Sequence, residues 1–259
     1  MTEPVLSVRN LTKRFGGLTA VRNVSWDVFP GEVVALLGDN GAGKSTLIKC
    51  ISGVHQAEEG EIFFEGKLTR FARPIDARSE GIETIYQDLA LANNLDVPAN
   101  IFLGREVKLR YFGGLIQTLN DRKMLDESAR ALDTLQIHFP TLTQPIESLS
   151  GGQRQAVAIA RAVYWDARLM IMDEPTNNLG VPEQQKVLEL ILRLRDQGVP
   201  VILITHTLPD VFAVADRLMV MHRGRKVTEK KVKETGVEEL VQYMVGARDD
   251  FREPVAAAV

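Results

Sequence analysis

The stretch "VVALLGDNGAGKSTLIKC", residues 33–50, limits what this chain can become more than any other. Five unbroken apolar residues, Val33 to Leu37, suit a strand covered on both faces, the kind found inside parallel sheets. Three glycines in the next six residues end that strand, and "KSTLIKC" resumes with helical spacing. A buried strand feeding a helix through a glycine-rich turn is half of a strand–helix–strand unit, so the expected core is α/β with parallel strands. The glycines have a second use. Without Cβ atoms, backbone N–H groups turn inward around an anion, at a helix start whose dipole favours negative charge.

The residue types fit that use. Gly38 to Ser45 match the P-loop pattern that cradles nucleotide phosphates. Gly38, Asp39, Asn40, Gly41, Ala42 and Gly43 would supply the backbone cradle, and Lys44 would reach the β and γ phosphates as a point charge. Ser45 would ligate Mg²⁺, with Thr46 next to it at the helix start. A second apolar strand, "RLMIMDE", ends in Asp173 and Glu174 and brings two carboxylates to the C-terminal edge of the sheet. Ligands of open α/β sheets bind at that edge. Asp173 suits the Mg²⁺ shell, and Glu174 suits polarisation of an attacking water. His206 ends "VILITH", another strand expected to finish there, as a hydrogen-bond donor to γ-phosphate.

Composition narrows the class. The net charge of -3 argues against a general nucleic-acid binder, which needs a basic face. The single cysteine, Cys50, has no internal disulfide partner and reads as a buried structural residue. "MTEPVLSVRN" lacks the features of a signal peptide, and the longest apolar run, "VPVILIT", is strand-length. A cytosolic chain that meets membranes only through a partner is expected. "GEIFFEGKL" reads as a hairpin with Gly60 and Gly66 at its turns. From Asp88 to about Gln155 the chain reads as helical and loop-rich, with Met124, Leu125, Ala129, Leu132 and Leu135 on one helix face. The methionines 170, 172, 219 and 221 read as strand core, Gly198 as a helix C-cap, and "REPVAAAV" as a loose tail. His55, His138 and His222 show no functional companions in the sequence.

"LSGGQ", Leu149 to Gln153, adds a second serine–glycine helix start of phosphate-gripping type. P-loop, "LSGGQ", "LMIMDE" and "ITH", in this order and spacing, resemble the ATPase subunit of an ABC transporter, over Val5 to about Gly246. The resemblance implies an α/β fold: a P-loop NTPase (RecA-like) core with an antiparallel β subdomain and an inserted helical subdomain. It implies one domain over 1–250, with 1–87 and 156–250 as core, 88–155 as helical lobe, and 251–259 as tail. It also implies that Ser150, Gly151, Gly152 and Gln153 meet the γ-phosphate of ATP held by the P-loop of another subunit. The two grips of one chain then serve two different nucleotides.

Three further positions carry over. Phe15, in "KRFGG", falls where the family sets an aromatic ring against adenine, with Val21 near the same face. Gln87, in "IYQD", matches the glutamine that reaches Mg²⁺ and the attacking water. "DLALANNLDVPANIFLGRE" would help form the groove that docks a membrane subunit, exposing Leu91, Leu95 and Val97. The chain departs from the pattern after "DEPT": the family commonly ends that stretch in Leu-Asp, and here it reads "NNLG", so Gly180 brings no carboxylate.

"GIETIYQDLALANNLDVPANIFLGRE", "PIDARSEGI" and "PTNNLGVPE" are similar to the ribose, galactose and fructose import ATPases. The implied partners are a multi-span permease, a second copy of the chain or a sister cassette, and an extracytoplasmic sugar-binding protein. The implied location is the cytoplasmic face of the membrane. A cassette of another transporter class, a soluble ABC ATPase and a small-molecule kinase are the rival readings; the last has no need of "LSGGQ".

Overall fold

The computed structural model describes residues 3–111 and 116–251. Of the expected tail, 251–259, all but Phe251 lies outside the described residues. Two long antiparallel strands open the chain, β1 (Leu6–Phe15) and β2 (Leu18–Val28). β3 (Val33–Leu37) then enters α1 (Lys44–Ile51) through the glycine turn. The hairpin β4 (Glu59–Phe64) and β5 (Lys67–Thr69) is followed by α2 (Pro74–Ser79) and β6 (Ile82–Ile85). The middle of the chain holds α3 (Val97–Ile101), β7 (Lys108–Tyr111), β8 (Ile116–Leu119), α4 (Asp121–Thr134) and α5 (Gly151–Tyr164). Alternation then resumes with β9 (Leu169–Asp173), α6 (Val181–Asp196), β10 (Val201–Ile204) and α7 (Leu208–Val214). β11 (Arg217–His222), β12 (Arg225–Lys231) and α8 (Val237–Met244) complete the order.

These elements form two compact units. The first takes in the described residues up to Thr84, Arg168–Glu174, and those from Leu194 on. It holds a six-stranded sheet in the order β12-β11-β3-β10-β9-β6 and an antiparallel sheet in the order β2-β1-β4-β5. β9, β10, β3 and β11 run parallel, and β12 closes the edge antiparallel. This is the expected α/β core with its β subdomain.

β3 shows why its sequence does not alternate. Val34 and Leu36 join one core cluster with Leu47, Ile51 and Ile171, while Ala35 and Leu37 join another with Val211, Leu240 and Tyr243. Both faces of the strand are buried, so every position is apolar. Met170, Met172, Met219 and Met221 are likewise fully buried in the sheet.

The second unit spans Ile85–Ala167 and Pro175–Arg193, wider than the lobe at 88–155 expected from sequence, because all of α5 and most of α6 belong to it. α3, α4 and α5 pack together, burying Val97, Ile101, Phe102, Met124, Leu132 and Val157.

Four expectations change. Val97, expected at an exposed docking face, is completely buried as the first residue of α3, and Leu91 and Leu95 are only half-exposed. Gly60 lies inside β4 instead of at a turn, because β1 presses Arg9 and Asn10 carbonyls against it where their register shifts. On α4, Ser128 and Ala131 are buried where Leu125 and Ala129 are half-buried, so the buried stripe is rotated from the expected one. The "helical" stretch also contains the antiparallel pair β7–β8, both strands of which are exposed along their whole length.

Candidate functional site

The glycine turn after β3 is fixed by its own chain. A Cβ on Gly38 would strike the Met221 carbonyl, and one on Gly43 the Ala20 carbonyl. Gly43 also sits at φ 102°, in the left-handed region that side chains avoid. It is the N-cap of α1 and offers no side-chain cap, so the first N–H groups of the helix remain donors for an anion. Lys44 Nζ donates to the Gly38 and Asp39 carbonyls at 2.8 and 3.1 Å, which holds it inside the turn. Asp39 Oδ1 accepts from the Asn40 N–H, and Ala42 is buried with its N–H bonded to the Asp39 carbonyl. Ser45 is exposed at the helix start and Thr46 half-buried beside it.

The carboxylates arrive from β9, which lies next to β10 in the sheet, with β3 on the far side of β10. Asp173 ends β9 opposite Ile204 in register, and the Glu174 N–H donates to the Ile204 carbonyl at 2.8 Å. That bond turns the chain sharply: Glu174 takes φ 53°, an unusual conformation for a residue with a side chain. Its Oε1 lies 2.8 Å from Nδ1 of His206, two residues past the end of β10. His206 is two-thirds exposed and Glu174 mostly buried.

Charge couples the two edges. Burial pushes the Asp173 carboxyl above its ordinary 3.8, and the Glu174 charge adds to this, against the pull of Lys44 and Lys49. Burial pushes the Lys44 ammonium down, while Glu174, Asp173 and Asp39 draw it back up. A nucleotide bringing phosphate and a cation together would satisfy both sides. Among the described residues no group of three His, Cys, Asp or Glu stands ready for a metal ion.

Phe15, at the end of β1, keeps 44 % of its surface exposed, with Lys13 Nζ 5.1 Å from the ring centre. His55 meets the same ring edge-on at 5.2 Å, a companion the sequence did not reveal. Val21 departs from the expectation: it is fully buried in the core and shows no face to a ligand.

Gln87 and "LSGGQ" belong to the second unit. Gln87 is exposed, two residues past β6. Ser150 caps α5 in a capping box: its Oγ accepts from the Gln153 N–H at 3.3 Å, and Gln153 Oε1 accepts from the Ser150 N–H at 2.9 Å. Ser150 and Gly151 are exposed. Further along α5, Arg161 donates to the carbonyls of Leu89 and Ala90. The fully buried Asn100 amide bonds Ala92, Leu95 and Asp96, so two polar side chains fix the segment after Gln87. Neither was singled out from sequence, since both sit among apolar residues with nothing to mark their partners.

A family profile described as ABC transporter matches residues 21–177. The chain is 52% identical over 240 residues to the xylose/arabinose import ATP-binding protein XylG of Sulfolobus acidocaldarius, covering 93% of each. The chain belongs to the ABC transporter family. It is also 45% identical over 261 residues to the fructose import ATP-binding protein FrcA of Rhizobium meliloti, covering 98% of this chain and 99% of that one. In three dimensions it is similar to the ADP conformation of MJ1267, an ATP-binding cassette of an ABC transporter, with a TM-score of 0.79 at 27% identity. That match covers 94% of this chain and 96% of the other. As an ABC ATPase, the chain thus carries the P-loop, Asp173, Glu174 and His206 in its first unit and Gln87 with the signature in its second. No helix among the described residues is long and apolar enough to cross a membrane.

Proposed function

We propose that this chain is the ATP-hydrolysing subunit of a monosaccharide importer, working as a pair of copies beneath a membrane permease at the cytoplasmic face, with an extracytoplasmic sugar-binding protein delivering cargo. The observation that carries the catalytic part is the Glu174–His206 contact of 2.8 Å at the strand ends, with the Glu174 charge felt by Lys44. The sugar assignment rests on two relatives named for pentose and fructose import, each matched over nearly its whole length.

Each side chain then has a task. The bare start of α1 and Lys44 grip the phosphates, while Phe15, with His55 against its edge, offers a flat apolar face to adenine. Ser45, Asp173 and Gln87 would hold Mg²⁺, which when bound neutralises phosphate charge. Glu174 orients and polarises the attacking water. His206 steadies Glu174 through Nδ1, which leaves Nε2 to face the γ-phosphate. With Nδ1–H given to the carboxylate, Nε2 donates to phosphate only in the imidazolium form. Ser150, Gly151 and Gly152 complete the site of the other copy. ATP thereby binds the closed pair far better than the open one, as a driven switch requires.

Glu174→Gln is the direct test. It should leave ATP binding intact and trap a nucleotide-bound pair while turnover falls about 100-fold or more. Hydrolysis at the parent rate would remove Glu174 from the mechanism. Co-purification with a sugar permease, and loss of uptake of labelled pentoses or hexoses on deletion, would test the cargo.

A further inference from the structure

Phe15 ends β1 just before Gly16 and Gly17, with 44% of its surface exposed, yet its ring is held from two sides. Lys13 sets its ammonium over the ring, 5.1 Å from the centre. His55 stands at 75° to the same ring, with centres 5.2 Å apart. Lys13 is itself pinned. Glu58 Oε1 accepts from its Nζ at 2.6 Å, and Glu58 Oε2 accepts from the Arg14 N–H at 2.6 Å. These two donors hold the Glu58 carboxyl below its ordinary 4.5. A solvated surface pair would leave both long side chains in water; here only 12% of the Lys13 side chain is exposed.

The same residues are tied to both ends of the phosphate grip. The Val54 and His55 N–H groups donate to the Lys49 carbonyl in the last turn of α1, so His55 is placed by the helix that the glycine turn begins. Glu58 follows three residues later, and its N–H donates to the Thr12 carbonyl of β1 at 3.0 Å. From the other side, Lys13 and Arg14 pair with Val21 and Thr19 of β2. Between these two, Ala20 lays its carbonyl against Gly43. Ring, clamp and glycine turn all lie in the first unit.

We propose that Lys13, pinned by Glu58, and His55 are positioning residues that hold Phe15 as a one-sided platform for the base of the nucleotide. The ammonium covers one face of the ring, His55 fixes its tilt, and the remaining face takes the purine. A ring fixed before binding loses little rotamer freedom when the base arrives, which raises affinity without any new contact to the ligand. This inference rests on the adenine role given to Phe15 above.

The test titrates the full chain with two probes by calorimetry: ADP, and inorganic pyrophosphate, which brings the phosphates without a base. Neither can be turned over by the ATPase. Phe15→Ala should weaken ADP about tenfold, the loss of one base–aromatic stack, and leave pyrophosphate within about twofold. Lys13→Met and Glu58→Gln should each weaken ADP about threefold to fivefold, and His55→Ala about threefold, again with pyrophosphate within about twofold. Lys13→Arg, which keeps the cation, should bind ADP within about twofold of the parent. In a Phe15→Ala background Lys13→Met should cost nothing further, because no ring remains to be held. Parent-like ADP binding by both Lys13→Met and Glu58→Gln would overturn the inference. So would equal losses for ADP and pyrophosphate, or an undiminished Lys13→Met effect without Phe15. If Phe15→Ala binds ADP as the parent does, the adenine role itself falls. If Phe15→Ala is weak while the Lys13 and Glu58 variants are parent-like, only the clamp falls.

Discussion

Glu174 carries its role in its backbone as well as its carboxylate. Left-handed conformations for residues with side chains cost about 1–3 kcal/mol and persist where surrounding structure enforces them. Here the enforcing bond is the Glu174 N–H to the Ile204 carbonyl, which aims the side chain at His206. Cys50 shows the opposite case, a reactive residue type kept idle. It is 3% exposed on α1, and burial pushes its thiol up to about 11. A thiol reagent at pH 8 should therefore label the native chain at least about 100-fold more slowly than the unfolded chain, because thiolate is the attacking form. Equal labelling rates would show that α1 opens readily. Glycine was read less completely. One letter stands for two physical demands, φ at Gly43 and room at Gly152, and only coordinates separate them.

At the scale of elements, α8 is tied down from beyond its own end. Asp250 accepts from the Thr228 hydroxyl at 2.6 Å and the Tyr243 hydroxyl at 2.7 Å, joining the helix to β12. Burial alone would raise this carboxyl; the two hydroxyls, helped by Lys230 and Arg248, outweigh it and hold the group below its ordinary 3.8. A depressed carboxyl stabilises the fold above its unfolded pKa, and the benefit is lost as pH falls through the folded value. Asp250→Asn should thus lower the melting temperature by a few degrees at pH 7, and the gap should close as pH drops below 3.8. A gap that persists in acid would mean the charge is irrelevant.

Elements with a strong apolar signal were legible. β3, β9 and β10 read as buried strands because both faces are covered. The β7–β8 pair escaped because every residue of its two strands is exposed, so no burial pattern marks them. Val97 was misread because docking was carried over for a whole segment, whereas burial is decided residue by residue.

For the whole molecule, the P-loop and the signature lie in different units, each a chemical half. Mixing Lys44→Ala with Ser150→Phe chains tests whether two copies exchange halves. In an equimolar mixture half of the pairs are mixed, and each mixed pair holds one complete site, so about a quarter of parent turnover should return. If none returns, sharing between copies is wrong. The complementary motifs were plain in the sequence; the wider reach of the second unit was not, because α6 changes unit within one unbroken helix.

The pairing order of the large sheet also bears on how the chain is made. β3 is flanked by β10 and β11, which lie more than 150 residues further on. A nascent chain leaving the ribosome therefore displays "VVALL" with neither neighbour yet synthesised, and the glycine turn lacks its flanking strands until β10 and β11 have been made. Premature termination before residue 201 would release an aggregation-prone polypeptide, a natural client for chaperones, in place of a smaller working enzyme.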